Sequence, residues 1–178
     1  MKLNIGCGMW GTLRNPWPGG YNSDFGGPLP GWVNVDYNLP PNIGPEHSFV
    51  QWDLNETPWP LLDSQFDEIR AYHILEHLNS FVEALSEIHR VALPRALVDI
   101  VVPYAGTIGD VANPYHRHHF NHRTFEYFCV GIADTNDLDM AWRGFSMVDQ
   151  RLRETGDEVF QGIAWRYANL QTRMRVVK

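Results

Sequence analysis

Two glycines, two carboxylates and a run of histidines are the residues whose types and spacing could do chemistry in this chain. Residues 3 to 11 read LNIGCGMWG, an apolar segment that breaks into Gly6, Cys7 and Gly8, and Gly6 to Gly11 fit the G-x-G-x-x-G pattern that brings backbone close to a pyrophosphate. Asp36 and Asp53 close two further apolar segments, GWVNVD and SFVQWD. An ionised carboxylate only accepts hydrogen bonds, and a ribose diol offers two donors side by side. The stretch HRHHFNH, residues 116 to 122, puts four histidines in seven residues, and AYHILEHL adds His73, Glu76 and His77. Imidazole titrates near neutrality, which suits proton transfer from a hydroxyl or amine. Each residue also has a structural reading: Asp36 as a strand-end cap, Asp53 as an Asx-turn residue, His77 as a helix-start hydrogen bond and the histidine run as loop packing.

Composition narrows the choices. The chain has 178 residues, 44% hydrophobic and 20% charged, which suits one globular domain spanning 1–178. No apolar stretch approaches the roughly 20 residues of a membrane helix, and the first residues lack a signal-peptide layout, so a soluble, cytoplasmic protein is expected. Cys7 and Cys129 are too few for a disulfide framework or a four-thiolate zinc site. Residues 1–142 hold 7 Lys or Arg against 17 Asp or Glu, and residues 143–178 hold 7 against 4. The net charge of −7 argues against nucleic acid as the main partner. The basic carboxy-terminal segment reads as a strand pair with a solvated arginine face, or as a surface for a partner or for self-association.

The elements that must position these residues alternate. Lys2–Ile5, Gly31–Asp36, Ser48–Trp52 and Phe66–Tyr72 read as strands, and Ser80 with Glu83 forms a capping box ahead of a helix with Phe81, Leu85, Ile88 and Val91 on its apolar face. Pro94 is expected to close that helix, and Ala96–Val102 reads as a strand covered on both faces. Asn121 is placed to cap a helix carrying Phe125, Phe128, Cys129 and Ile132, before two strands at 144–152 and 169–177 that form a hairpin. Such alternation implies an α/β, doubly wound, Rossmann-like and mostly parallel sheet with helices on both faces and a carboxy-terminal antiparallel hairpin. Ligands of such sheets sit at the carboxyl ends of the strands.

A dinucleotide site needs a regular helix directly after the glycines and an acid about 20 residues on. Pro16, Pro18 and five glycines between 19 and 31 deny that helix, and Asp36 lies 30 residues beyond Gly6. A nicotinamide-dependent oxidoreductase or epimerase is therefore the least favoured reading. A nucleoside without a pyrophosphate asks only for a close backbone, an acid for the ribose and a second acid for an adenine amino group.

LNIGCG, PGWVNVDYN, WDLNETPWP, FDEIRAYHILEHL and EIHRVALPRALVDIVVPY resemble, in that order over residues 3 to 104, the motifs of class I S-adenosylmethionine-dependent methyltransferases of the small branch with a glycine-cysteine-glycine first motif. The resemblance implies that Gly6, Cys7 and Gly8 receive the methionine part of S-adenosylmethionine. It likewise implies that Asp36, with Tyr37 beside it, holds the ribose, that Asp53 and Leu54 hold the adenine, and that Tyr72 and His73 face the sulfonium and amino-acid end. His77, Tyr104, His116 and His119 are the candidates for the acceptor side, with His116 or His119 taking the acceptor's proton. His118 and His119 would each share a face with His122 on a helix, yet no carboxylate lies inside the run, the nearest being Asp110 and Glu126, so no metal is expected.

The first strand begins at residue 2, so the fold is expected to be reduced, lacking the amino-terminal helices that family members usually carry. Trp10, Trp17, Tyr21, Phe25 and Trp32 are positioned to replace them as an aromatic cover. LPRALV stands where the family has a glycine pair. The expected function is methyl transfer to an oxygen or nitrogen of a small molecule, glycan or protein; a catalytically degenerate cofactor-binding module acting through a partner is the alternative.

Overall fold

The structure is a computed structural model that describes residues 1–8, 27–39, 43–131, 143–160 and 163–178. Its seven strands form one sheet in the order β3-β2-β1-β4-β5-β7-β6. These are β1 Lys2–Ile5, β2 Val33–Asp36, β3 Ser48–Gln51, β4 Phe66–Tyr72, β5 Ala92–Pro103, β6 Phe145–Phe160 and β7 Ile163–Val176. The first five run parallel to their neighbours, while β7 pairs antiparallel with β5 and with β6. This is the expected doubly wound sheet with its carboxy-terminal hairpin.

Helix is sparse among the described residues. The helix α1, Phe81–Val91, is opened by Ser80, whose hydroxyl accepts from the Glu83 N–H at 3.2 Å, as the capping box predicted. Its buried Leu85, Ile88 and Val91 pack on one sheet face formed by Leu3, Ile5, Val35, Ile69, Ala71, Val98 and Ile100. The other described helix, α2, spans only Ile108–Val111. Alternation along the strands sends Glu68, Arg70, Tyr72 and Asp99 to the opposite face, where Arg173 pairs with Asp149 and Gln171 donates to Asp99 at 2.8 Å. That face is polar along β4, β5 and β7, and Arg173 of the hairpin belongs to it.

Three local expectations shift. Helix α1 stops at Val91, before Pro94, because the chain turns straight into β5 at Ala92. Residues 93–96 then form an irregularity between the pairs Phe66–Ala92 and Glu68–Leu97, with Arg95 at φ +66°. Arg95 thus occupies the left-handed conformation that glycine adopts freely and a residue with a Cβ rarely does. Asn121 accepts from the Arg123 N–H at 2.9 Å, but an Asx turn and a single 3-10 turn at Glu126–Phe128 follow in place of the expected helix, burying Phe125, Phe128 and Cys129. Ile132 and the aromatic residues Trp10, Trp17, Tyr21 and Phe25 lie outside the described residues. No helix among the described residues is long and apolar enough to cross a membrane.

An ionic clamp built on the buried Glu87 ties the segment after β3 to α1. Glu87 accepts from the Trp59 N–H at 2.6 Å and from Arg90 Nε and Nη2 at 2.8 and 2.7 Å, and Arg90 also donates to Asp63 and to the Leu61 and Trp59 carbonyls. Burial opposes ionisation of Glu87, but Arg90 and the Trp59 N–H outweigh it and hold the carboxyl below its usual range. A lowered value stabilises the fold above the unfolded-state value, and the contribution is lost as pH falls through the folded value. Melting temperatures of the wild type and Glu87→Gln are expected to differ most near neutrality and to converge below about pH 4. A constant difference from pH 7 to 3 would contradict this.

Candidate functional site

Backbone and side-chain bonds join the glycine bend to Asp36 at the carboxyl end of β2, and Asp36 in turn to Trp52, the residue before Asp53. Gly6 and Gly8 adopt φ values of +63° and +66°, open to glycine and strained for other residues. The Gly6 N–H donates to the Val35 carbonyl at 2.8 Å, and the Gly8 N–H donates to Asp36 Oδ2 at 2.8 Å. Asp36 Oδ1 accepts from the Asn38 N–H at 3.0 Å, and the Asp36 carbonyl accepts from the Trp52 N–H at 2.9 Å. The bend, the end of β2 and the residues leading to Asp53 are therefore one hydrogen-bonded unit. A carboxylate has about four lone-pair positions, so Asp36 retains capacity for two more donors while its backbone bonds fix its orientation.

Asp53 forms the Asx turn that its sequence also allowed, with the Asn55 N–H and Nδ2 each 2.9 Å from Oδ1. Both bonds fall on one oxygen, leaving Oδ2 for an amino donor. Leu54 is buried, and its carbonyl accepts from Trp59 Nε1 at 3.2 Å. Tyr37 is exposed, and its carbonyl accepts from Gln51. Burial, reinforced by the Asp36 charge, pushes the Cys7 thiol up to about 12, so Cys7 packs as an uncharged side chain beside the bend.

The next strand end is shared between two tasks. The ring of Tyr72 points to the polar sheet face, where its hydroxyl donates to Asp99 at 2.8 Å and the Arg70 guanidinium stacks 3.8 Å from its centroid. Burial and the Asp99 bond raise its hydroxyl to about 12, so it stays a donor. The ring is thus engaged on the polar sheet face by Asp99 and Arg70, and the backbone carbonyl is the part of Tyr72 that ends β4. His73 follows with φ +52°, rare for a residue with a Cβ, and its N–H is held by the Val101 carbonyl at 2.8 Å.

Residues 104–122 follow β5 and carry the histidine run. The histidine run does not converge on one point; its rings take separate partners. His116 Nδ1 lies 2.8 Å from the Asp110 carbonyl, His118 Nε2 lies 2.9 Å from the Leu78 carbonyl, and His122 Nδ1 lies 3.3 Å from the Tyr104 hydroxyl. His119 Nδ1 lies 2.9 Å from Asp110 Oδ1. In that dyad Asp110 is 2% exposed and His119 is 58% exposed, and Asp110 Oδ2 accepts from the Gly106 N–H at 3.0 Å. A buried carboxylate thus orients a solvent-facing imidazole. Asp110 was visible in the sequence only as the nearest acid to the run, nine positions before its partner. His77 packs edge-on against His116 with ring centroids 4.8 Å apart, and Glu76 is buried beneath them.

Residues 33–98 match the model of a methyltransferase domain family. No curated protein matches the chain. Among solved structures, the methyltransferase in the complex with the Haloferax volcanii Trm112 methyltransferase activator aligns at 14% identity and TM-score 0.65, covering 99% of this chain and 82% of that one. The Burkholderia thailandensis 1,6-didemethyltoxoflavin-N1-methyltransferase, solved with 1,6-didemethyltoxoflavin and S-adenosylhomocysteine, aligns at 16% identity and TM-score 0.57, covering 99% and 71%. The [4+2]-cyclase SpnF aligns at 11% identity and TM-score 0.58, covering 99% and 74%.

Proposed function

We propose that this chain is a class I S-adenosylmethionine-dependent methyltransferase that moves a methyl group to an oxygen or nitrogen of an acceptor bound beside residues 104–122, with His119 as general base. One observation carries the reading: Asp36, tethered by the Gly8 and Asn38 N–H groups, stands at the carboxyl edge next to the glycine bend. The donor chemistry fits the cofactor of the family. Asp36 accepts from the ribose hydroxyls, Asp53 Oδ2 accepts from the adenine amino group, Leu54 supplies an apolar wall, and the Gly6–Gly8 backbone with the His73 backbone borders the amino-acid end. Bound there, S-adenosylmethionine supplies an electrophilic methyl on a cationic sulfur, as expected of a group whose chemistry is largely its own.

The protein's own part is positioning and proton removal. The Asp110 carboxylate accepts from His119 Nδ1, which leaves Nε2 with a lone pair to take the acceptor's proton as the new carbon–oxygen or carbon–nitrogen bond forms. His77, His116 and Tyr104, the other acceptor-side candidates, are turned toward partners of their own, so His119 is preferred. A small molecule, glycan or protein side chain remains open as acceptor, and the basic carboxy-terminal segment offers a surface for a partner such as the activator that accompanies the Haloferax relative.

The fold also serves a protein named as a cyclase, so turnover has to be measured directly. The chain is expected to bind S-adenosylmethionine by calorimetry and to release S-adenosylhomocysteine with a hydroxyl or amine acceptor. With that acceptor, His119→Ala should lower kcat about a hundredfold with the KM for S-adenosylmethionine unchanged. Absence of binding removes the reading; binding without turnover across acceptors favours a degenerate module acting through a partner.

A further inference from the structure

We propose that Glu76, His77 and His116 bind one divalent ion of the zinc class. One donor atom from each of the three side chains lies within 4.8 Å of the others. Glu76 is 1% exposed, and while its Oε1 faces His73 Nδ1 at 3.2 Å, its Oε2 is buried with no hydrogen-bond partner among the described residues. A buried carboxylate oxygen without a donor is costly, and an ion is one of the few groups that compensate it.

The surrounding bonds prepare both imidazoles as ligands. His77 Nδ1 lies 3.3 Å from the Tyr115 carbonyl and His116 Nδ1 lies 2.8 Å from the Asp110 carbonyl. A carbonyl only accepts, so both Nδ1 atoms carry hydrogen and both Nε2 atoms keep their lone pairs. A backbone carbonyl on the second ring nitrogen is the usual outer partner of a metal-bound histidine. Two imidazoles and one carboxylate select zinc, cobalt or nickel over magnesium and calcium, which prefer all-oxygen sites. Three protein ligands leave a fourth tetrahedral position open.

One group stands in the way. Asn113 Nδ2 lies 3.1 Å from His116 Nε2, and its amide donates into the lone pair the ion needs. Tetrahedral zinc brings donors to roughly 3.3 Å from one another, so binding displaces the Asn113 amide and draws the three ligands inward. The backbone already joins the two segments, since the Glu76 carbonyl accepts from the Arg117 N–H at 2.7 Å. The ion therefore clasps the turn after β4 to the loop that carries His119. This assignment departs from the sequence expectation of no metal, which rested on the spacing within residues 116 to 122 and on the nearest carboxylates, Asp110 and Glu126, and not on Glu76 or His77.

The test is titration of the metal-stripped full chain with Co²⁺, without S-adenosylmethionine. One equivalent is expected to bind, with visible ligand-field absorption that Zn²⁺ abolishes. His116→Ala and Glu76→Gln should each weaken binding a hundredfold or more, His77→Ala should do so independently should Glu76→Gln fail to fold, and Asn113→Ala should bind as tightly or more tightly. His89→Ala, altered at an imidazole that contacts the Val177 carbonyl, should bind like the wild type. No saturable absorption, or binding unaffected by His116→Ala and His77→Ala, overturns the proposal. Calorimetry with S-adenosylhomocysteine in chelator separates the two readings: cofactor binding without Co²⁺ binding removes only the metal, and the reverse removes only the methyltransferase site.

Discussion

Asp36→Ala is expected to weaken S-adenosylhomocysteine binding about a thousandfold. Two ribose hydroxyls donating to one carboxylate make two charge-assisted bonds of about 2 kcal/mol each, and about 4 kcal/mol corresponds to that factor. Part of the loss comes through the bend itself, because the Gly8 N–H, 2.8 Å from Asp36 Oδ2, loses the acceptor that fixes its direction. Asp36→Asn separates the two contributions. An asparagine keeps one acceptor oxygen for the Gly8 N–H but presents an amide to the ribose in place of a second acceptor. Its binding should remain at least tenfold weaker than wild type, and because the new amide also faces the Asn38 N–H that Asp36 Oδ1 accepts, the melting temperature should fall, but by less than in Asp36→Ala. Calorimetry that finds Asp36→Ala within a factor of three of the wild type would remove the ribose from this carboxylate and with it the proposed orientation of the cofactor.

What made Asp36 visible in the sequence was its place at the end of an alternating segment, because strand period and strand end are local properties. The same holds for Phe66–Tyr72, whose bounds the structure reproduces, and for Ser80, whose cap needs only Glu83 three residues on. Properties set by distant partners were not legible. The helix expected after Asn121 rested on the spacing of Phe125, Phe128 and Cys129, but those side chains are buried around Phe120, Phe145 and Met174, and an Asx turn with a 3-10 turn suffices to place them. Tertiary burial imitated helical period. The direction of Tyr72 was decided by Asp99 on the neighbouring strand, 27 positions away. The pairing of Asp110 with His119 crosses a loop whose path no periodicity describes: His116 and His119 turn to the carbonyl and the carboxylate of Asp110, His118 to Leu78 and His122 to Tyr104. The burial of Glu76 was not legible either: its carbonyl accepts from the N–H of Arg117, 41 positions along the chain.

Gly6→Ala is expected to cost at least about 3 kcal/mol of folding stability, from backbone strain at positive φ and from overlap in a packed core. A Cβ at residue 6 would come 2.4 Å from both Cβ and Cγ1 of Ile74, distances at which the chain must move. Gly6 sits at φ +63°, so alanine is strained there even in open space. The overlap has a particular source: Ile74 follows His73, whose own left-handed backbone turns the chain from the end of β4 back toward the bend after β1. These neighbouring strand ends therefore press together where the cofactor is proposed to lie, and only a residue without a side chain fits between them. Ile74→Ala removes Cγ1 but leaves the equally close Cβ in place, so the double variant should recover little, whereas Ile74→Gly should recover the overlap and leave the φ penalty of about 1–2 kcal/mol. Urea midpoints at unchanged slope measure each step. A Gly6→Ala protein within about 1 kcal/mol of wild type would mean that the bend and Ile74 stand further apart than this fold has them.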